Sequence, residues 1–536
     1  MPENNGHHIH LFGNPAENFR ALGQRDKNSF TQVYDHISML CMRNNMLAKL
    51  VKKTTEFASR FSKNNPSYIQ DQLAAYAEGL GRPVEDVLFA HLLPEMVASF
   101  NKWAPNLVSL IPGCSSVFYW DAMARGVIHA RLLDYALSGP FENFERSVLY
   151  DFKNYYKVFA YTSAGFSLPG LSAMNEKGLS VALHYKHSDY FNQDGESIFA
   201  ITSQLLFECQ NISEAYKFLR KKESISFWGL YLADAEGEVL SFDICGSEYS
   251  QERFDLKDHH YLYFNNRSLL KKSHQEELQP YGNKDQCSMR YRSFKQSFEL
   301  GSLNMAKDKT LEIVKQIGRP VKNRASDAKN WNLPATTPST IQFYSFHTKE
   351  FKSVFVKGNA PKMFNDHHLY YKDIFSKLTI ETTQQETEAS KYQQAYTRLA
   401  HFQSHLDKNE IPEAYHEIQM AIQFFKGFAE EYISQFYFYV IQYIFESDER
   451  DLSYLYEDFR ELEDKLPAYL EDQRKLFLLR LGILLGHEVT DHSQYIQNKK
   501  LKELYLQEKK FNSLTIKGLR YLTFPRIEIL DIIYAY

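Results

Sequence analysis

The chain has 536 residues, 44% of them hydrophobic and 24% charged, with a formal net charge of −4 at pH 7. That length exceeds one compact core, so two to four structural units are expected. The near-neutral charge gives no electrostatic ground for a nucleic acid or an anionic membrane as partner. Five cysteines (Cys41, Cys114, Cys209, Cys245, Cys287) form no CxxC pair, which favours thiols in a reducing compartment.

The opening "MPENNGHHIHLFGNPAENFRALGQRD" lacks a basic segment followed by an apolar one, so no signal peptide is read there. The density of "HHIH" at 7–10 is not matched by a second ligand cluster, and no metal or other cofactor is expected. Residues 1–110 read mainly as helices. "NNMLAKLVKKTTEFASRFSKNN" puts Leu47, Leu50, Val51 and Phe57 near one face. "SYIQDQLAAYAEGLGRPVEDVLFAHLLPEM" gives two further helices, with Gly79 or Gly81 as a stop and Pro83 as the next start.

From Ser115 the period changes. "SVFYWDAM", "GVIHARLLDY", "GLSVALHY", "FWGLYLADA", "EVLSFDICG" and "HHYLYFNN" are short β-branched or aromatic runs bounded by Gly, Asp and Asn. "ADAEGEVLSF" predicts a hairpin joining Leu230–Ala233 to Val239–Phe242. "ESIFAITSQLLFECQNISEAYKFLRKK" predicts helices between strands, and "TIQFYSFH" with "FKSVFVKG" a last hairpin near 340–358. This order suits an α+β or layered αββα fold rather than a doubly wound parallel sheet.

Beyond about 375 the pattern is helical. "KYQQAYTRLAHFQSHL" and "EIPEAYHEIQMAIQFF" form a helix pair around "DKN", reminiscent of a tetratricopeptide unit but without clean recurrence. "QETEASK" is the expected linker. The most apolar late run, "FYFYVIQYIF" at 436–445, falls short of the roughly 18–20 residues of a spanning helix. A cytoplasmic protein with no membrane span is the reading.

Chemistry centres on "LIPGCSSVFYWDAMARGVIHARLLDY", residues 110–135. A thiol with its ordinary pKa near 8.5 needs a base to become a nucleophile. A Cys-His pair would supply one, with His129 or His184 as the base. The other route cuts the chain before Cys114, so that the freed α-amine, with a pKa of about 7.7–8.0, accepts the thiol proton. Gly113 suits that route because, lacking Cβ, it leaves its carbonyl open to the Cys114 Sγ. On "GC" alone the plain reading is a buried structural thiol.

The order and spacing of "HLFGNPAENFRALGQ", "YAEGLGRPVEDVLFAH", "GCSS", "ARLLDY", "MNEKGLSVAL", "LADAEGEVLSFDI", "YLYFNN" and "CSMRYRSF" resemble the penicillin-acyltransferase-like cysteine N-terminal-nucleophile (Ntn) hydrolases. Bile-salt hydrolases, penicillin V acylases and ceramide-type amidases are relatives of that group. The resemblance spans most of residues 8–358. It implies a four-layer αββα sandwich, with an N-terminal helical segment and, here, an extra C-terminal all-helical domain.

Autocatalytic cleavage between Gly113 and Cys114 is likewise implied. The boundaries would then be 1–113 as a small subunit, 114–370 as the core and 371–536 as an irregular helical domain. The resemblance makes Cys114 both nucleophile and base, puts Arg131 near the thiol and has Asp134 position the amine. Residues three apart on a regular strand face opposite ways, so Arg131 and Asp134 converge only where the strand ends or bulges.

Asn265 matches the family's oxyanion asparagine, with Asn266 able to claim the role; alternation lets only one of the two serve. His184 stands where relatives carry a second polar oxyanion residue, and Arg290 of "SMRYRSF" matches a late bracing arginine. Each has a plain alternative: a strand arginine, a turn aspartate, an Asn-Asn turn, a pocket histidine, an exposed helix arginine.

The implied activity is an amidohydrolase or acyltransferase acting on a small N-acylated amine through a Cys114 thioester. Aromatics around "HSDYFNQ" and "FWGLY" are expected to line an apolar acyl pocket. The rivals are an uncleaved Cys-His hydrolase and an inactive Ntn scaffold. In the scaffold reading the C-terminal helical domain binds a protein partner or self-associates.

Overall fold

The structure is a computed structural model that describes residues 7–42, 62–103, 113–134, 140–186, 188, 190–270, 281–319, 322, 324–331, 335–337, 340–359, 362–383, 390–446, 448–488 and 490–520. The helix expected around "NNMLAKLVKK" lies outside the described residues. The chain divides into two units. The first comprises Met1–Gln279, Phe298–Gly318 and Ser339–Glu386, and the second Pro280–Ser297, Arg319–Pro338 and Thr387–Tyr536. Among the described residues no helix is long and apolar enough to cross a membrane.

Among the described residues, fifteen strands belong to the first unit. They are β1 (His8–Gly13), β2 (Gly113–Asp121), β3 (Gly126–Asp134), β4 (Arg146–Phe152), β5 (Val158–Thr162), β6 (Ser172–Asn175), β7 (Ser180–Tyr185), β8 (Phe227–Ala233), β9 (Glu238–Cys245), β10 (Glu248–Asp255), β11 (Tyr261–Phe264), β12 (Thr340–His347), β13 (Lys352–Val356), β14 (His368–Lys372) and β15 (Thr379–Thr383). One sheet runs β1-β4-β5-β6-β7-β8-β9-β10 and the other β11-β2-β3-β12-β13-β14-β15.

The sheets face each other through their alternating apolar residues. Phe159, Tyr161 and Met174 of the first sheet pack with Tyr344, Phe346 and Phe355 of the second. Farther along, Tyr231 and Val239 meet Phe118 and Val127. On the outer side of the first sheet, the helices Pro15–Met42, Ser67–Leu80, Val84–Trp103, Ile198–Glu208 and Ile212–Leu219 close the largest core. The helix Lys309–Gly318 covers the second sheet, packing on β12 and β13. These layers form the αββα sandwich.

Local chemistry explains the turns. Asp234 Oδ1 accepts from the Glu236 and Glu238 N–H groups, and Gly237 takes φ 103°, closing the β8–β9 hairpin where the sequence places it. Helix Ser67–Leu80 stops at Gly81 in the left-handed region (φ 67°), and the next helix begins at Val84, directly after Pro83. Residues 1–110 are not helical throughout. β1 lies parallel to β4, pairing His8 with Ser147, a long-range pairing that "HHIHLF" alone does not announce. The 340–358 hairpin is also not the last, since β14 and β15 extend its sheet.

The N-terminal helices are fastened at one buried point. Arg146, opening β4, holds Asp26 with both guanidinium nitrogens, Nη2 to Oδ2 at 2.6 Å, and the Tyr76 hydroxyl donates to the same Oδ2 at 2.7 Å. Asp26 and Tyr76 come from two different helices.

The second unit is helical: Tyr281–Ser297, then Lys391–Asp407, Ile411–Phe424, Ala429–Phe445, Glu449–Glu461, Ala468–Leu485, Lys499–Glu508 and Ser513–Arg520. The predicted pair around "DKN" is present, and Ser390 caps its first helix in a capping box with Gln393. The segments 280–297 and 319–338, which lie within the core boundaries read from the sequence, group with this unit. One reason is buried Glu430, whose Oε1 accepts from Trp331 Nε1 (3.2 Å), the Tyr392 hydroxyl (2.7 Å) and the Tyr396 hydroxyl (3.1 Å).

Two glycines set the crossing of the first two helices. A Cβ on Gly79 would lie 2.0 Å from the Arg20 carbonyl oxygen, and one on Gly23 would lie 2.1 Å from that of Tyr76. Helix propensity favours Ala over Gly by about 1 kcal/mol, but a backbone carbonyl at that distance cannot turn aside. Gly79→Ala is therefore expected to destabilise the protein by about 1–3 kcal/mol, measured by urea unfolding. Equal or greater stability would contradict the close crossing.

Candidate active site

β2 begins at Gly113 and β3 ends at Asp134, and the two pair antiparallel: Gly113 with Asp134, Cys114 with Leu133, Ser116 with Arg131. Side chains two apart share a face, so Cys114 and Ser116 of β2 and Arg131 and Leu133 of β3 all point toward the first sheet. Cys114 is 1% exposed and Arg131 fully buried. The Arg131 Nη2 lies 3.5 Å from Cys114 Sγ and donates to the Leu183 carbonyl at 2.5 Å. Its Nη1 donates to the Leu171 carbonyl at 3.1 Å and to the Ser172 hydroxyl. Cys114 Sγ itself lies 3.5 Å from the Leu183 carbonyl.

A guanidinium beside a thiol favours the thiolate, and here the cation is fixed by carbonyls of the facing sheet. Tyr344, paired with Arg131 across β12, adds a buried ring on the same side, its hydroxyl pushed up to about 12 chiefly by burial. No sequence signal singled out Tyr344, because its position depends on the β3–β12 register.

Asp134 faces the other way, as alternation requires, and its carboxylate accepts from the Thr340 hydroxyl. β3 ends at this residue and the register shift lies in β12, between Thr340 and Gln342, so the Arg131 and Asp134 side chains stay on opposite faces.

The two asparagines make different contacts. Asn266 Oδ1 accepts from the Cys114 N–H at 2.8 Å, while its Nδ2 donates to the Tyr185 carbonyl at 2.9 Å. Asn265, the residue favoured by family match, accepts the Arg267 N–H on its Oδ1 at 3.1 Å. The structure thus sets Asn266, rather than Asn265, against the nitrogen of Cys114. The two follow β11 directly, and one residue of alternation separates the roles.

His184 is buried beside the site. Its Nε2 lies 2.8 Å from the Ser116 hydroxyl, and its ring packs edge-on against Tyr231 at 4.5 Å. His129 stands opposite Phe118, four residues along β3 from the partner of Cys114, which is about 13 Å of strand. Its Nδ1 meets the Ser180 hydroxyl at 3.0 Å. Burial and then Arg131 lower its pKa to about 3. His129 is therefore not the base that a Cys-His pair would need. Arg290 belongs to the second unit, where it is buried with Nη2 3.6 Å from Cys287 Sγ.

Pro94, Leu133, Phe141, Phe166, Phe199 and Trp228 close over Cys114 and Arg131, leaving a cavity of about 20 Å³, room for about one water molecule. "FWGLY" contributes Trp228, as expected. In "HSDYFNQ", Phe191 packs against the same core, while Tyr190 is partly exposed. Among the described residues no group of three or more His, Cys, Asp or Glu is gathered to hold a metal ion. Cys114, Cys209, Cys245 and Cys287 carry thiols rather than disulfides.

Residues 140–316 match the family described as acyl-coenzyme A:6-aminopenicillanic acid acyl-transferase, which bears out the resemblance read from the sequence. The matched stretch includes His184, Asn265, Asn266 and Arg290 and begins after Cys114, Arg131 and Asp134. No curated protein sequence matches. Similar solved structures include a Caenorhabditis elegans ortholog of N-acylethanolamine-hydrolyzing acid amidase, at 15% identity and TM-score 0.31, covering 44% of this chain and 93% of that one. Penicillin V acylase from Agrobacterium tumefaciens follows at 15% identity and TM-score 0.33, covering 50% and 90%. A mutant conjugated bile acid hydrolase from Clostridium perfringens has 9% identity and TM-score 0.28, covering 51% and 97%.

Next to Pro94, Glu95 is fully buried and accepts the Ile198 N–H on Oε1 at 2.5 Å. Burial raises its carboxyl to about 8. The folded state therefore holds a proton that the unfolded chain loses near pH 4.5. Its contribution to stability is complete below that pH, declines as pH rises toward 8, and changes little beyond. Glu95→Gln should remove this decline, so that the variant gains stability relative to the wild type between pH 5 and 8 in urea unfolding. Parallel pH curves would show that Glu95 is not the proton carrier.

Proposed function

Taking the family of residues 140–316 as premise, we propose that this protein is an autoprocessed N-terminal-cysteine amidohydrolase or acyltransferase acting on an N-acylated amine. The observation that carries the proposal is the setting of Cys114: at the head of a central strand, its Sγ is 3.5 Å from the Arg131 guanidinium and its nitrogen is held by Asn266.

In self-processing, the Cys114 Sγ attacks the Gly113 carbonyl carbon. The peptide nitrogen leaves with the thiol proton, and a Gly113–Cys114 thioester forms. Water hydrolyses it to a Gly113 carboxylate and a free Cys114 thiol and α-amine. That amine is then the base for the thiol. In turnover, Sγ adds to the substrate amide carbonyl, the α-amine hands the proton to the departing amine, and a Cys114 acyl thioester remains. Water releases the acyl group as an acid, or a second amine releases it as a new amide.

Arg131 steadies the thiolate, Asn266 Oδ1 orients the amine, and Asp134, across the strand pair from Gly113, supplies negative charge near it. His184 supports β2 through Ser116. The apolar lining favours a hydrocarbon acyl group.

The first test is the intact mass of purified protein beside Cys114→Ala. Residues 1–113 and 114–536 divide 62.8 kDa in proportion to length, into roughly 13 and 50 kDa. Two fragments in the wild type and one chain in the variant are expected. One uncleaved chain in both would overturn the proposal in favour of an inactive scaffold. Against N-acyl amines, Asn266→Ala should lower kcat by about tenfold, the value of one lost hydrogen bond to the amine, and Asn265→Ala less. The reverse order would return the role to Asn265.

A further inference from the structure

Directly after β7, Lys186 carries its amine into the protein interior, where neither it nor Asp243 has any exposed surface. An isolated buried ammonium is costly, so its partners report what it is for. Its three hydrogens have three acceptors. The Tyr231 hydroxyl is 2.8 Å from Nζ, the Asn265 carbonyl 3.4 Å, and the Arg267 carbonyl is in closer contact still. Tyr231 passes its own hydrogen to the Asn265 carbonyl at 3.2 Å. Asp243 balances the charge, with Oδ1 3.6 Å from Nζ. Its Oδ2 accepts from the Ser268 hydroxyl (3.0 Å) and the Leu269 N–H (2.6 Å).

These contacts converge on one stretch of backbone. The carbonyls of Asn265 and Arg267 flank Asn266, and both are tied to the same ammonium. Asp243 grips the next two residues. From the other side, Asn266 Nδ2 is anchored to the carbonyl of Tyr185, the neighbour of Lys186. Space for the ion pair comes from Gly229: a Cβ there would lie 2.5 Å from Lys186 Cε and 2.9 Å from Asp243 Oδ1. A core needs none of this to hold a turn after β11, since apolar residues of similar volume are often as stable as a buried pair.

We propose that Lys186 is a positioning residue, which through its neutralised ion pair with Asp243 fixes the 265–269 segment so that Asn266 meets the nitrogen of Cys114. The catalytic consequence rests on the Ntn reading above. The geometric claim stands without it.

The test has two arms. The double variant Lys186→Met/Asp243→Asn keeps the interior neutral, avoiding the uncompensated charge that Lys186→Met alone would leave. In a Cys114→Ala background, where the chain stays intact, hydrogen exchange is followed at the residue 114 amide with Leu232 in β8 as reference. Exchange at 114 should rise on the order of tenfold, the value of one lost hydrogen bond, while Leu232 is unchanged. No change at 114, or an equal rise at both, overturns the inference whether or not the wild type is an enzyme.

With Cys114 present, the double variant should lose kcat at unchanged KM against an N-acyl amine. Gly229→Ala, which crowds the pair without removing it, should shift kcat in the same direction by less. A raised KM at unchanged kcat would assign the segment to substrate binding and overturn positioning. A wild type without turnover defeats the Ntn reading, and the exchange arm then decides the inference alone.

Discussion

The site depends on one buried guanidinium. Arg131 stands on the second sheet and spends its donors on carbonyls at Leu171 and Leu183 of the first, with Cys114 Sγ beside it. A full charge between two β-layers is tolerable only because those carbonyls and the Ser172 hydroxyl are aimed at it. The same contacts fix the spacing of the sheets where the nucleophile sits. A thiolate at Cys114 would balance that charge.

Around that cation, each neighbouring element constrains a different atom of Cys114. The β2–β3 register faces its side chain toward Arg131, Asn266 holds its nitrogen, and the rings of Phe141, Phe166, Phe199 and Trp228 line the space at Sγ. These are separate constraints with separate sequence origins. The register follows from the tight turn at Asp121, whose Oδ1 accepts from Met123 and Ala124. The asparagine is held by the Tyr185 carbonyl at the end of β7.

What the sequence discloses follows the range of the interactions. Local chemistry was legible: the Asp-Ala-Glu-Gly hairpin, the Gly81 stop and the alternation of β2 and β3. Arg131 was set beside Cys114 by resemblance alone, and the β2–β3 register supplies the physical reason. β1 was not legible, since a single strand pairing parallel across 139 positions, as His8 does with Ser147, leaves no local mark. Tyr344 escaped for the same reason. Asn266 meets the Cys114 nitrogen across 152 positions of chain, a contact that no motif announces. Arg290 was placed by motif match alone, and its helix groups with residues far beyond it.

The Asp26–Arg146–Tyr76 cluster bears on how such a molecule could be remade. It joins two N-terminal helices to β4 by charge and hydrogen bonds, with no dependence on the peptide link at Gly113. A chain cut there would stay together once folded, but its assembly would have changed order. The uncut polypeptide folds by a unimolecular reaction. Its two pieces, once separated by denaturant, would have to find each other in a bimolecular one, losing translational entropy that the intact chain never gives up. The folding information would then belong to the precursor, and the mature form would persist by the slowness of its unfolding.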